Sequence, residues 1–329
     1  MCRKRVMTMD HVAEDRRRVV ALRAAQMYYL QDQTMESIAR ELSTSRSTVS
    51  RLLSHARDTG LVEIRVHSPH DSGMQLERTI AERFHVTAHV VPVPSAVSDI
   101  DRLERVATTA ARLLGGFVDS NATVGVAWGS TMSAVSRHLV TKDVQNAVVV
   151  QMNGAGNTET TGIDYASKIL QRFGDAYGAQ VQQFAVPAFF DDPATKEALW
   201  RERSVIRVLD VQARMDVAIF GLGSPFAEVP SRVYIGGYLE PAEYESLMED
   251  GVVGDLATVF FRPDGSSESI ALNARASGPD LGRLRRVPRR VCVVSGVQKL
   301  TTLKGALAGE LMTDLVLDEA LASRLAESD

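Results

Sequence analysis

Cysteine is almost missing from this chain: 329 residues hold two, Cys2 and Cys292. One lies near the N-terminus and the other in an apolar run, so they make no disulfide framework, and a reducing cytoplasm is the expected compartment. No apolar stretch reaches the ~20 residues that a membrane helix needs, so no membrane partner is expected. The basic start, MCRKRV, leads into no apolar run and does not read as a signal peptide. A complete dinucleotide fingerprint is missing too. After the glycine pairs Gly154/Gly156 and Gly221/Gly223, the third glycine position is held by Glu159 and Phe226, which weakens any dinucleotide reading. Of seven histidines, His67 and His70 lie three residues apart, but Pro69 breaks any helix between them. No metal site and no cofactor are expected.

What is present is an ordinary globular composition, 45% apolar and 24% charged, over a length that suggests about two domains. The net charge of −4 is unevenly spread. Residues 1–67 carry 12 Lys/Arg against 8 Asp/Glu (12 − 8, about +4), and the remainder 25 against 33 (about −8). A basic head on an acidic body fits a nucleic-acid reader joined to something that does not touch nucleic acid.

Residues 34–57, TMESIARELSTSRSTVSRLLSHAR, are the most informative stretch. Met35, Ile38, Ala39 and Leu42 recur at helical steps. After the polar turn Ser43-Thr44-Ser45, Val49, Leu52 and Leu53 mark the apolar side of a second helix. Its other side offers Ser45, Arg46, Ser47, Thr48, Ser50 and Arg51, with no acid before Asp58. Short hydroxyls reach phosphates or base edges, and arginine can grip guanine with two prongs. The pattern is a helix-turn-helix, and those six residues are its candidate DNA contacts. Residues 16–30 form a supporting helix with Val19, Leu22, Ala25, Met27 and Leu30 as candidate core. The period-two run over 61–66 reads as a strand, which makes the domain winged.

The expected organisation is a DNA-binding domain over 1–67, a linker over 68–75 and a larger domain over 76–329. In the last, apolar strand-like runs alternate with helical segments, the mark of a Rossmann-like parallel sheet covered on both faces. One of those runs, 256–261, reads as a strand. In such α/β sheets ligands sit at the carboxyl ends of strands.

Four of those ends hold candidate residues. Gly129, Ser130 and Thr131 follow TVGVA; they form an anion cradle at a helix start, or Ser130 simply caps the helix. Asn153 and Gly154 follow VVVQM, and Gly223 follows DVAIF; close approach to a small ligand and a plain turn both fit. Lys299 follows RRVCVVSGVQ near a helix N-terminus, an unfavourable place for a cation unless an anion binds there. Asp255 stands before the apolar LATVFF and needs donors, which sugar hydroxyls or a backbone N–H can supply. Arg275, in ALNARASG, is a candidate phosphate ligand or a surface arginine.

Taken in order, the reader segment, WGST, QMNGAGN, AIFGLG, GVVGDLATVFF, VVSGVQKLTTLKGAL and LVLDEALASRLAE resemble the SorC-type sugar-binding transcriptional regulators of bacteria over 16–326. The resemblance implies an effector domain related to sugar-phosphate isomerases and a phosphorylated sugar or polyol as effector. The phosphate would be held at Gly129, Ser130 and Thr131 with Lys299 near, and the hydroxyls at Asn153–Gly154 and Asp255. It also implies a dimer or tetramer on palindromic double-stranded operator DNA. A family member that regulates deoxyribonucleoside genes uses a lysine after the third strand to form a Schiff base. Asn153 stands at the matching position here, so reversible, non-covalent binding is expected. The alternative is an isomerase-like enzyme with an accessory DNA-binding head, with Asp255 and Lys299 as its only nameable acid–base pair.

Overall fold

A computed structural model describes residues 18–59, 61–62, 69–227 and 231–328. The chain divides into two compact units, Met1–Ser68 and Pro69–Asp329.

The first unit holds three described helices: α1 (18–29), α2 (Met35–Glu41) and α3 (Arg46–Asp58). Thr34 caps α2 by accepting the Ser37 N–H, and Ser45 caps α3 by accepting the Thr48 N–H. Between them Ser43 adopts a left-handed conformation (φ +50°) that turns the chain sharply. The small core is Ala21, Ala24, Ala25, Met27, Ile38, Ala39, Val49, Leu52, Leu53 and Ala56. It follows the expected apolar phase in α2 and α3 but not throughout α1. There Val19, Leu22 and Leu30 are exposed, and the alanine face packs inward instead, since small side chains let helices approach closely. Leu61 and Val62 pack on this core; the rest of the strand expected over 61–66 lies outside the described residues.

The second unit opens with α4 (Pro69–Phe84) and β1 (Thr87–Val91). The linker expected over 68–75 is therefore mostly the start of a helix. Proline is tolerated in a first turn, where its missing N–H would have had no partner. There follow α5 (Asp99–Gly115), β2 (Thr123–Val126), α6 (Ser130–Arg137), β3 (Val148–Gln151), α7 (Ile163–Tyr177) and β4 (Gln180–Gln182). Then α8 (Pro193–Leu199) and α9 (Arg203–Gln212) lead back to β5 (Val217–Gly221). An excursion carries α10 (Arg232–Ile235), α11 (Pro241–Glu249), the strands β6 (Gly254–Leu256) and β7 (Val259–Phe261), and α12 (Leu281–Leu284). After it come β8 (Arg289–Val294), α13 (Leu300–Ala308), β9 (Asp314–Asp318) and α14 (Glu319–Glu327).

Seven strands form one sheet in the order β1-β9-β8-β5-β2-β3-β4, every pair parallel. Every residue of β9 is buried, as is all of β5 except the half-buried Gly221 at its end, which is why these strands read as continuous apolar runs. The run over 256–261 is not a strand of this sheet. It breaks at Ala257–Thr258 into the separate antiparallel hairpin β6–β7. Both turn residues have positive φ (+47° and +70°), the geometry of a tight hairpin usually built with Asn and Gly.

From β2 the chain moves outward to β3 and β4; from β5 it moves the opposite way to β8 and β9. The order reverses between the neighbours β2 and β5, so their carboxyl ends face an uncovered crevice.

Candidate functional site

That crevice is a cavity of about 50 Å³ bordered by Gly129, Ser130, Thr131, Asn153, Gly223, Asp255 and Lys299. They come from four strand ends (after β2, β3, β5 and β8) and from the hairpin, and the tertiary fold alone brings them together.

One wall is the start of α6. Gly129 is its N-cap at φ +145°, a conformation that only glycine adopts freely, and no side chain caps the helix. Ser130 is thus the first helical residue rather than the cap, and it is exposed. The first N–H groups of α6 have no intrahelical acceptors and make an anion-attracting end. Lys299 also borders the cavity, and its Nζ donates to the Leu222 carbonyl at 2.9 Å. Burial lowers the pKa of this ammonium, while Cys292 and Asp255 nearby oppose the shift. Its position depends on the preceding loop. Gly296 (φ +92°) donates its N–H to Oδ2 of the fully buried Asp318 at 2.7 Å, and Asp318 Oδ1 accepts from Arg102 at 3.3 Å.

The lining also carries unsatisfied acceptors. Asn153 is 1% exposed and its Oδ1 has no hydrogen-bond partner; Asp255 is 4% exposed and its Oδ1 has none either. Oδ2 of Asp255 accepts the Thr258 N–H at 3.2 Å. Burial pushes this carboxyl up to about 6, against the opposing pull of Thr258, the neighbouring Tyr234 hydroxyl and Lys299. The Tyr234 hydroxyl, raised well above the usual phenol range by burial, lies beside the carboxyl without closing a hydrogen bond. Gly223 exchanges backbone hydrogen bonds with Asp255 (2.9 and 3.1 Å), and a Cβ on it would lie 1.8 Å from Asp255 Oδ1. Its lack of a side chain is what makes room for the carboxylate.

Two expected residues stand apart. Gly154 is buried behind the wall: its carbonyl accepts the Trp128 Nε1–H at 2.7 Å, and a Cβ would lie 2.3 Å from the Val186 and Pro187 carbonyl oxygens. Arg275 lines a different, larger cavity, where it pairs with Glu243 and donates to the Phe190 carbonyl. Sequence reasoning missed Arg232, which borders the small cavity with its guanidinium 4.2 Å from the Tyr165 ring centroid. A four-residue helix inside an irregular excursion carries no periodicity to mark it. It also missed Trp128 as a cavity wall, Thr258 and Asp318; a buried aspartate at the end of an apolar strand is the one signal that could have pointed to Asp318.

In the first unit, Arg46, Ser47, Ser50 and Arg51 lie exposed along α3, while Thr48 is half-buried. Ser45 is occupied at the cap, with Ser47 and Thr48 hydroxyls at 2.8 and 2.9 Å. Arg46 Nε pairs with Glu36 at 2.8 Å in a solvent-exposed bridge, a contact weak enough for another anion to replace.

The described chain has clear relatives. A family model described as "Putative sugar-binding domain" matches residues 69–327. The deoxyribonucleoside regulator of Bacillus subtilis is 30% identical over 93% of this chain and 96% of its own length. A solved domain of a possible sugar-binding transcriptional regulator from Arthrobacter aurescens is 56% identical, with TM-score 0.74, over 79% of this chain and 100% of that one. The full-length sorbitol operon regulator SorC of Klebsiella pneumoniae shares the fold at 23% identity and TM-score 0.71, over 95% of this chain and 100% of its own.

The environment of Asp255 generates a pH test. Its carboxyl keeps a proton up to about pH 6 when folded and only to 3.8 when unfolded. Stability from this group is therefore greatest at low pH and falls as pH rises through that window, a difference of about 3 kcal/mol by pH ~8. Asp255→Asn is expected to match wild type near pH ~4 and to gain on it as pH rises through about 6. Urea unfolding across that range measures it; a wild-type-to-variant gap independent of pH contradicts the assignment.

Proposed function

Since the chain belongs to the SorC-type family of sugar-binding transcriptional regulators, we propose that its switch-point cavity binds a phosphorylated sugar or polyol and thereby controls operator DNA binding by α3. The observation that carries this is the polarity of the cavity. Its lining combines the first N–H groups of α6, Lys299 and Arg232 with Asn153 Oδ1 and Asp255 Oδ1, two buried acceptors that close no hydrogen bond. A buried acceptor left unsatisfied costs ~1–3 kcal/mol. A ligand with an anionic group and hydroxyls answers both kinds of group, and a sugar phosphate is such a molecule. An amide at Asn153 is no nucleophile, so binding there is reversible.

On DNA, two copies on a twofold axis would set α3 helices in successive major grooves ~34 Å apart. The effector shifts that arrangement only by as much as its affinity differs between the two states. An isomerase-like activity is a second reading, favoured by one observation: burial moves Asp255 up and Lys299 down, the displacement expected of an acid–base pair. Steady turnover of pentose or hexose phosphates would establish it.

Arg51→Ala is expected to weaken operator binding and leave effector binding unchanged, with ~1–3 kcal/mol of discrimination lost at one base if it reads a guanine. A footprint identical to wild type refutes the groove assignment. Lys299→Ala should weaken a phosphorylated effector far more than its unphosphorylated parent in calorimetry; equal losses mean that the lysine does not meet phosphate.

A further inference from the structure

The switch-point cavity is small for its proposed task. Its 50 Å³ falls well below the ~300–1,000 Å³ of ordinary small-molecule pockets. Beside it lies a second cavity of about 870 Å³, reached past the end of β3. The partition between them is thin. Trp128 and Asn153 face the small cavity, Tyr238 and Ala155 the large one.

The two rings stack, with centroids 5.1 Å apart and planes 26° from parallel. Both are pinned to the same piece of backbone: Trp128 Nε1 donates to the Gly154 carbonyl at 2.7 Å, and the Tyr238 hydroxyl to the Ala155 carbonyl at 3.1 Å. Gly154 is packed closely there: a Cβ on it would lie 2.3 Å from the Val186 and Pro187 carbonyl oxygens. The partition is therefore one aromatic pair thick.

We propose that the Trp128–Tyr238 pair is the size filter of the effector site. With both rings in place, the site takes an anionic head with a short hydroxylated chain; without the Trp128 ring the two cavities join and a longer chain fits. The chemistry of the large cavity defines that longer chain. Its lining carries neutral polar groups such as Asn157, Thr160 and Gln183, together with acids, and the only cation among the described lining residues, Arg275, is already paired with Glu243. An uncharged polyol tail is favoured there and a second phosphate is not. This inference rests on the phosphate reading of the small cavity.

The test is calorimetric titration of the full chain with glycerol phosphate, a three-carbon probe, and sorbitol phosphate, a six-carbon probe. Wild type is expected to bind the short probe more tightly. Trp128→Ala should move the affinity ratio toward the long probe by ~10-fold or more, the scale on which pocket size discriminates chain length. Trp128→Phe, which keeps a ring in the partition, should hold the wild-type ratio. If the alanine variant does not fold, Tyr238→Ala, which preserves the Trp128–Gly154 bond, should move the ratio in the same direction. A ratio unchanged in the folded alanine variant, or a wild type that prefers the long probe, overturns the filter while leaving the phosphate site standing. A wild type that binds neither probe overturns the phosphate reading, and the filter with it.

Discussion

The reversal of strand order between β2 and β5 is the constraint on which the rest of this molecule depends. Because the chain leaves β2 in one direction and β5 in the other, no crossover covers their carboxyl ends. The gap receives the start of α6 on one side, and on the other the Gly223 backbone, which pairs with Asp255 of the hairpin. Parallel strands also place all their carboxyl ends at one edge of the sheet, so the Asn153 and Lys299 segments arrive at the same crevice. The convergence of these segments on one crevice follows from this topology.

The acceptor side is built at a measurable conformational cost. Ala257 and Thr258 both take left-handed backbone angles, each costing of order 1–3 kcal/mol for a residue that is not glycine. Their surroundings hold them there. The Thr258 N–H is bonded to Asp255, and Gly278 packs so tightly that a Cβ would lie 2.0 Å from the Ala257 carbonyl oxygen. Strain, a carboxyl pushed upward by burial and two acceptors without donors all occur within one small volume. That concentration sets this crevice apart from the turns at the other strand ends.

The reader helices, the parallel α/β architecture and the seven expected residues that border the crevice were legible because each has a local signature. Caps, helical steps and continuous apolar runs are properties of neighbouring residues, and Gly129, Asn153 and Lys299 stand immediately after strands or tight turns. Errors arose where a local pattern has two solutions. LATVFF reads as one strand, yet a two-residue turn divides it, and hairpin and strand share the same apolar composition. Pro69 reads as a linker residue, but a helix's first turn accepts it. Val19, Leu22 and Leu30 keep a helical spacing; only packing against α2 and α3 decides that the alanine face turns inward.

Sequence alone determined which segments become helices and strands and which unit carries the basic surface, because backbone propensity, capping and hydrophobic period act over a few residues. Tertiary structure decided what those segments do together. Arg275 was drawn into an ion pair, Gly154 into a backbone seat, and Arg232 and Trp128 to the cavity border, where residues far apart in the chain meet. Those outcomes depend on strand order and on which partners the packed interior brings within reach, and neither is written in any local pattern.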